Sequence, residues 1–309
     1  MAAALRIGFI GLGKMGRPMA RRLADAGYRL GVADARAEAA SEFAVRYGAE
    51  TPPTLIDLGR QSDLLITMLP AGAAVREVVL GDGDDSSDCV AKGLAPGSVV
   101  IDMSSSAPVG TRDLGERLDA RGVAMLDAPV SGGVARAEDG TLAIMVGGEA
   151  PVIGRCRAVL EAMGREIFLT GPLGSGHAMK ALNNYVSATG LLAAAEALLI
   201  GQRFGLDPER MVEVLNASSG RNSSTEDKFK QFILSRTFAS GFSLGLMAKD
   251  LRTAAELAAQ TRTSAPLMDR CAELWEEAQR KLGDGVDHTA IVRIAEQETG
   301  EELKVPEPS

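Results

Sequence analysis

The first part of the chain alternates between short apolar runs and segments with helical periodicity. Apolar runs occupy residues 5–10, 63–69 and 98–103, and helical patterns lie between them. A further helix at 151–164 and a strand at 165–171 close this part of the chain. Alternation of this kind is typical of βαβ units. It predicts a doubly wound, largely parallel sheet over residues 1–170.

The pattern changes beyond residue 170, where strand-like runs give way to helical periodicity. Residues 186–201 are apolar almost all round, which predicts a buried helix. Further on, the pattern predicts amphipathic helices at 204–220, 224–236, 241–260 and 265–283. We therefore predict an all-helical second domain over residues 171–309.

Composition and charge fit a two-domain globular protein. A chain of 309 residues is too long for one ordinary core, and no apolar run is an unambiguous membrane span. The formal charge of -8 disfavours nucleic acid as a partner. A small anionic substrate remains compatible, because it requires only local positive charge. The acidic insert at 81–88 lacks the length of a calcium loop and is expected to be a solvated surface loop.

Cysteine and histidine usage bears on compartment and metal chemistry. Cys89, Cys156 and Cys271 are odd in number and far apart, which favours reduced thiols in a cytosolic protein. His177 and His288 are the only histidines and Cys-x-x-Cys is absent, so we predict no metal site. The N-terminal segment lacks the basic region and cleavage signal of a secretory leader. We expect a cytoplasmic location.

A glycine motif follows the first apolar run directly. It consists of Gly11, Leu12, Gly13, Lys14, Met15 and Gly16, and a helical pattern comes next. In a strand-to-helix turn of this type, the first glycine allows the tight turn and the second lets backbone approach a pyrophosphate. The third permits close packing of helix and strand. The pyrophosphate binds at the helix N-terminus, where free N–H groups favour an anion. We predict a dinucleotide site here.

Asp34 ends the second predicted strand, about twenty residues after the glycines. A carboxylate at this place accepts hydrogen bonds from the adenosine ribose and repels a 2′-phosphate, which favours NAD over NADP. Arg36 lies two residues on and could instead pair with a phosphate. The alternative is that Asp34 caps the next helix.

The carboxyl ends of the later strands carry further candidates, because ligands bind outside these ends. Pro70 ends one apolar run, and the serines 104–106 follow another; capping of the next helix is the alternative role for these serines. Ser131, Gly132 and Gly133 interrupt two apolar runs and offer unhindered backbone N–H groups. They suit either a carboxylate cradle or a plain turn.

The segment GPLGSGHAMKALNNY at 171–185 places a cation and two amides together. Lys180 is three and four residues from Asn183 and Asn184, so on a helix each amide shares a face with the amine. A cluster of this composition at the start of an apolar helix is a candidate site for chemistry. His177, one turn earlier, is expected to be a packing or hydrogen-bonding residue.

The roles of two other polar positions in the second domain are not determined by the sequence pattern. Lys249 and Asp250 begin an otherwise apolar helix, and a surface ion pair is the simplest interpretation. Arg221 lies in a Gly/Ser segment and is either an anion contact or solvated.

Taken together, GLGKMGRPMA, DAPVSGG with GTLAIMVGG, GSGHAMKALNN and LMAKDL occur in the order seen in the β-hydroxyacid dehydrogenases. The chain resembles the 3-hydroxyisobutyrate dehydrogenase branch of this family over residues 5–300. The resemblance implies a Rossmann-type domain and an all-α domain joined by a long helix beginning near Ser175. It also implies an active site in the cleft between domains, and assembly as a homodimer or homotetramer. NSSTEDK lacks the aromatic residue typical of that branch, which leaves the substrate side chain open.

The resemblance also implies residue roles. Lys180 matches the catalytic lysine and Asn184 the substrate-binding amide, while Lys249 lies near both cofactor and substrate. The segment that holds the substrate carboxylate corresponds to Ser131, Gly132 and Gly133. Further cofactor contacts are implied at Leu69, Pro70 and Ser105.

These roles predict NAD-dependent oxidation of a small 3-hydroxy acid, similar to 3-hydroxyisobutyrate, to its semialdehyde. Lys180 is the candidate general base, and burial together with the charge of Lys249 would favour its neutral form. One alternative is a reductase of tartronate or succinic semialdehyde. Another, of a different class, is a non-catalytic NAD-binding scaffold.

Overall fold

The computed structural model describes residues 5–81 and 87–304, so most of the predicted loop at 81–88 lies outside the described residues. The chain divides into two compact units, Met1–Lys180 and Ala181–Ser309. The first contains β1 (Arg6–Ile10), α1 (Gly16–Asp25), β2 (Arg29–Ala33), α2 (Ala37–Tyr47), α3 (Leu55–Arg60), β3 (Leu64–Thr67), α4 (Gly72–Leu80), β4 (Val99–Asp102), α5 (Pro108–Asp119), β5 (Ala124–Asp127), β6 (Val130–Ser131), α6 (Gly133–Asp139), β7 (Leu142–Gly147), α7 (Ala150–Met163) and β8 (Gly164–Gly171).

Within the described residues, eight strands form one sheet in the order β2-β1-β3-β4-β5-β7-β6, with β8 paired to β7. Strands β1 to β5 are parallel, which confirms the doubly wound prediction. Strand β7 instead runs antiparallel to β5 and β6. Strands β5 and β6 therefore run in the same direction on either side of β7, and the chain reverses between β6 and β7, through α6.

Alternate residues of each strand face opposite sides of the sheet. Ile7 and Phe9 of β1 pack with residues of α1, α2 and α7, whereas Ile10 packs with residues of α3, α4 and α5. Helices therefore cover both faces, the arrangement of a Rossmann-like fold. The strand order reverses between β1 and β3, so the carboxyl ends of these two strands mark the place where such sheets bind ligands.

The remaining elements are α8 (Ser175–Phe204), α9 (Pro208–Ala217), α10 (Ser223–Asp227), a π-helix (Phe229–Leu234), α11 (Leu244–Gln260), α12 (Pro266–Leu282), a 3-10 helix (His288–Ile291) and α13 (Val292–Thr299). The prediction of a helical second part is confirmed. The single helix predicted over 224–236 is wrong, because α10 ends at Asp227 and a π-helix follows. Lys228 between them has φ -120° and ψ -43°, outside the regular α-helical geometry.

Helix α8 is not buried all round, contrary to the prediction from its composition. Leu191 and Leu198 are fully buried in the second unit, whereas Val186, Ile200 and Phe204 are exposed. The helix is long and apolar enough to cross a membrane, but the core helix of a soluble protein can have the same length and composition. In this helix, 44% of the 18-residue apolar segment is buried. The oligomer implied by the family resemblance stays a prediction.

His288 lies in the core of the second unit. Its ring stacks on the single tryptophan, Trp275, with 6.3 Å between ring centroids, and meets Phe242 edge-on. Burial lowers the pKa of His288 from 6.5 to about 4, and the charge of Lys228 acts in the same direction. The imidazole is therefore neutral in the folded protein at neutral pH.

This neutral histidine predicts a defined loss of stability in acid. Between pH 6.5 and 4 the unfolded chain binds a proton that the folded chain does not, so the folded state loses stability as pH falls. The difference of about 2.5 pKa units corresponds to about 3 kcal/mol. Urea unfolding followed by Trp275 fluorescence should show that His288→Gln removes a pH dependence of this size. Equal pH dependence in both proteins would contradict the assignment.

Candidate functional site

The glycine loop between β1 and α1 is closely packed at two of its three glycines. A methyl group on Gly16 would lie 1.8 Å from the Gly11 carbonyl oxygen, and one on Gly11, where φ is +99°, would lie 2.3 Å from the Met68 carbonyl oxygen. A methyl group on Gly13 would meet no atom within 4 Å. The N-cap of α1, Met15, makes no side-chain capping bond. The loop therefore leaves open space at Gly13 and uncapped N–H groups, which suit a pyrophosphate.

Asp34 connects the end of β2 to this loop. Its Oδ2 accepts a 2.7 Å hydrogen bond from the Leu12 N–H, and its Oδ1 accepts one of 2.9 Å from the Arg36 N–H. The helix-capping alternative is wrong, because α2 has Arg36 as its N-cap and no side-chain capping bond. The guanidinium of Arg36 lies 3.7 Å from Asp34, and its side chain is 72% exposed. The carboxylate is thus held beside the glycine loop.

Two of the three consecutive serines form hydrogen bonds at the carboxyl end of β4, and one of these bonds links it to the end of β3. Ser104 Oγ accepts a 2.9 Å hydrogen bond from the Leu69 N–H, and Ser106 Oγ donates one of 2.7 Å to Asp102. The capping alternative for these serines is wrong, since Ala107 is the N-cap of α5 and makes no side-chain bond. Ser105 is half-buried and Pro70 is exposed.

Ser131, Gly132 and Gly133 form the bend between β6 and α6. Both glycines have positive φ, +129° and +67°, which disfavours other residues at these positions. A methyl group on Gly132 would also collide with the Arg136 side chain at 2.4 Å. The two glycines are exposed and Ser131 is half-buried. Their role in carboxylate binding stays a prediction.

The start of α8 is fixed by a carboxylate that the sequence did not single out. Asp127, the last residue of β5, accepts 2.7 Å hydrogen bonds from the N–H groups of Gly174 and His177. A methyl group on Gly176 would lie 2.3 Å from the Met145 carbonyl oxygen, so the helix approaches the sheet closely. Lys180, which is half-buried, follows one turn after His177.

His177 confirms the prediction of a hydrogen-bonding core residue. Its fully buried ring lies 2.8 Å from Thr111 Oγ1 through Nδ1 and 3.1 Å from the Ser104 carbonyl oxygen through Nε2. Since a carbonyl oxygen only accepts, Nε2 carries a proton. The ring therefore joins α8 to α5 and to the end of β4.

In the second unit, one buried carboxylate joins Asn184 and Lys249. Asn184 Nδ2 donates a 2.6 Å hydrogen bond to Asp250 Oδ2, and Lys249 Nζ lies 3.0 Å from Asp250 Oδ1. The Asp250 side chain is only 5% exposed, so the surface ion pair expected for Lys249 and Asp250 is wrong. Asn183 Nδ2 donates to Asn184 Oδ1 at 3.2 Å. The Asn184 amide is thereby held in one orientation, and its Nδ2 has a second N–H that can donate to another group.

Arg221, by contrast, remains at the surface. Its side chain is 63% exposed and lies 3.6 Å from Glu226. This placement fits the solvated alternative better than an anion contact.

Two family models match the chain along most of its length. The NAD binding domain of 6-phosphogluconate dehydrogenase matches residues 6–171. The model described as NAD-binding of NADP-dependent 3-hydroxyisobutyrate dehydrogenase matches residues 174–295.

Individual relatives agree with these models. The chain is 37% identical over 301 residues to 2-(hydroxymethyl)glutarate dehydrogenase of Eubacterium barkeri, covering 97% of this chain and 98% of that one. It is 40% identical over 268 residues to NAD-dependent L-serine dehydrogenase of Pseudomonas aeruginosa, covering 85% and 88%. The structure of 3-hydroxyisobutyrate dehydrogenase of Mycobacterium tuberculosis with L-serine superimposes with a TM-score of 0.85, 32% identity and coverage of 94% and 99%. With the glycine loop and the two-part fold described above, these matches show that the chain belongs to the β-hydroxyacid dehydrogenase family of NAD(P)-dependent oxidoreductases, close to 3-hydroxyisobutyrate dehydrogenase.

Proposed function

We propose that this protein oxidises a small 3-hydroxy acid to its semialdehyde with NAD, using Lys180 as general base. The observation that carries the proposal is the arrangement on α8, where Lys180 and Asn184 are four residues apart and so share one helix face. Asn184 is oriented by the buried Asp250. An amine and a fixed amide donor on one face can together serve a single hydroxyl group.

The residues that would hold the cofactor are those of the first unit described above. The glycine loop leaves room at Gly13 for a pyrophosphate, and Asp34 lies beside it to accept hydrogen bonds from ribose. Leu69, Pro70 and Ser105 at the ends of β3 and β4 supply the further contacts. Bound NAD would supply the acceptor for the hydride released from the carbinol carbon.

The protein's own part in the reaction is to position the substrate and to move a proton. The Lys180 amine removes the hydroxyl proton as the carbonyl forms, and returns it in the reverse direction. The remaining N–H of Asn184 donates to the oxygen as negative charge develops there, which stabilises the transition state. Backbone at Ser131, Gly132 and Gly133 binds the carboxylate and so determines which carbon is presented to the cofactor. Lys249 is a further contact for cofactor and substrate, and its ion pair with Asp250 holds its ammonium in place.

A substrate screen tests the proposal directly. NADH formation should be measured with 3-hydroxyisobutyrate, serine, threonate, glycerate, 3-hydroxypropionate and γ-hydroxybutyrate. One or more 3-hydroxy acids should be oxidised, whereas γ-hydroxybutyrate should not. Reduction of the semialdehydes with NADH and NADPH should be measured in parallel, because much faster reduction would favour the reductase alternative. NAD binding without turnover in either direction would favour the scaffold.

The cofactor preference is expected to depend on Asp34. In Asp34→Ala the repulsion of a 2′-phosphate is removed, so kcat/KM with NADP should rise relative to NAD by about tenfold or more, a change of about 1.4 kcal/mol. Steady-state kinetics with each cofactor measures this ratio. Arg36→Ala provides the control. If the exposed guanidinium of Arg36 bound the phosphate, its removal would lower kcat/KM with NADP. An unchanged ratio in Asp34→Ala would mean that another residue discriminates between the ribose 2′-hydroxyl of NAD and the 2′-phosphate of NADP.

A further inference from the structure

A half-buried lysine in the second unit has no assigned role. Lys228 lies between α10 and the π-helix, and its Nζ donates to Ser187 Oγ at 3.2 Å and to Ser224 Oγ at 3.3 Å. Among the residues that the structure describes, no carboxylate forms an ion pair with it. Burial lowers the pKa of Lys228. The ammonium is therefore partly desolvated and held by two neutral hydroxyls, an arrangement that a bound anion would stabilise.

The position of Lys228 relative to α8 relates it to the proposed active site. Ser187 is three residues after Asn184 and seven after Lys180, so all three residues share one helix face. Three residues correspond to roughly 4.5 Å along the helix axis. The ammonium bound to Ser187 thus lies about one turn beyond the amide that we assign to the substrate hydroxyl.

Two nearby carboxylates, Asp227 and Asp287, raise the pKa of Lys228 through their charge, against the larger effect of burial, but neither forms an ion pair with it in the part of the chain that the structure describes. Asp287 accepts hydrogen bonds from Ser240 Oγ, the Gly241 N–H, and the N–H and hydroxyl of Thr289, while Asp227 is exposed. His288 is neutral at physiological pH, as described above. The ammonium has three donors, and one remains for a bound anion after the two hydrogen bonds to serine hydroxyls.

We propose that Lys228, together with the hydroxyls of Ser187 and Ser224, binds a second carboxylate on the substrate, at the end of the side chain on C2. The inference rests on the proposed function, because it extends the same substrate along α8. It specifies the substrate class as 3-hydroxy acids with a distal carboxylate. The distal carboxylate lies about one helical turn beyond Asn184.

Substrates of matched size test whether the charge of the distal carboxylate strengthens binding. KM should be compared for 3-hydroxyisobutyrate, 2-(hydroxymethyl)glutarate and the analogue of the latter in which the distal carboxylate is an amide. A charge-assisted hydrogen bond contributes about 1.5–3 kcal/mol, so KM for the dicarboxylate should be about 10- to 100-fold below that for the amide. Equal KM values for the two would overturn the proposal.

Variants assign the effect to this lysine. Lys228→Met should raise KM for the dicarboxylate to the value for the amide, with KM for 3-hydroxyisobutyrate and kcat for both nearly unchanged. Lys228→Arg should retain most of the preference, which a purely structural role would not predict. Lys230→Met is the matched control, because Lys230 is exposed and pairs with Glu209 and Glu213. A dicarboxylate preference that survives in Lys228→Met would overturn the assignment.

A binding measurement distinguishes failure of this inference from failure of the proposed function. With NAD present, glutarate should raise Tm more than valerate, which has the same length but lacks the second carboxylate. The difference should vanish in Lys228→Met and persist in Lys230→Met. If no 3-hydroxy acid is oxidised but this pattern holds, the reaction is wrong and the anion site stands. Equal Tm changes with glutarate and valerate in the unmodified protein would reject the site.

Discussion

Exchange of Lys180 for methionine is expected to lower kcat about a thousandfold while leaving the Kd of NAD within about twofold. General acid–base catalysis contributes 10²- to 10⁴-fold, and methionine has similar length but no exchangeable proton. The proposed cofactor contacts in the first unit involve other residues, so cofactor binding should survive. Steady-state kinetics and titration of NAD by calorimetry measure the two quantities separately.

Two controls sharpen this experiment. Lys180→Arg keeps the positive charge but cannot release a proton near neutral pH, so it should be as slow as Lys180→Met. Lys230→Met removes an exposed lysine that pairs with Glu209 and Glu213, and it should retain full kcat. If Lys180→Met keeps more than a tenth of kcat, another group must move the proton.

The second large effect is expected at Gly16. An alanine methyl group there would lie 1.8 Å from the Gly11 carbonyl oxygen, whereas contacts below 3.0 Å essentially never occur for real Cβ atoms. The nearest atom belongs to the backbone, so the whole loop must move. We expect Gly16→Ala to weaken NAD binding about 100-fold and to destabilise the protein by about 3 kcal/mol, at the upper end for overpacking. Titration of NAD and urea unfolding report the two effects.

Gly13 offers a matched control on the same loop. A methyl group there meets no protein atom within 4 Å, so Gly13→Ala should leave the free energy of unfolding unchanged within about 0.5 kcal/mol. It should still weaken NAD binding, because the methyl group occupies the space proposed for the pyrophosphate. Normal NAD affinity in Gly13→Ala would place the pyrophosphate elsewhere. Normal stability in Gly16→Ala would contradict the packing described for the loop.

The features that we predicted correctly from the sequence are those determined by the pattern of neighbouring residues along the chain. The glycine motif lies between a strand and a helix, as its spacing requires, and the change from alternating to helical periodicity marks the two-part fold. Helices α9, α11 and α12 follow from the periodicity of their own residues. Within 224–236, however, the helical periodicity of the sequence is uninterrupted, whereas the chain leaves α-helical geometry at Lys228. Packing against other elements overrides the local helical preference there.

The buried carboxylates could not be predicted in the same way. Asp127 bonds to His177, fifty residues away, and Asp250 bonds to Asn184, which is 66 residues away. At such separations, sequence spacing carries no information about distance. Asp250 was expected at the surface because an isolated Lys-Asp pair is usually solvated, and only its burial beside Asn184 changes that interpretation.

The sequence by itself determined the family, the glycine turn between β1 and α1 and the position of Lys180 near the start of α8. These are local properties, because glycine conformation and helix spacing depend on neighbouring residues along the chain. Only the tertiary structure decided that Ser104 and Ser106 bond inward, that Asp34 accepts from the glycine loop, and that Lys228 is half-buried beside Ser187. Burial and hydrogen-bond partners depend on residues brought together by folding, so the two hydroxyl partners of Lys228 became visible only when its surroundings were known.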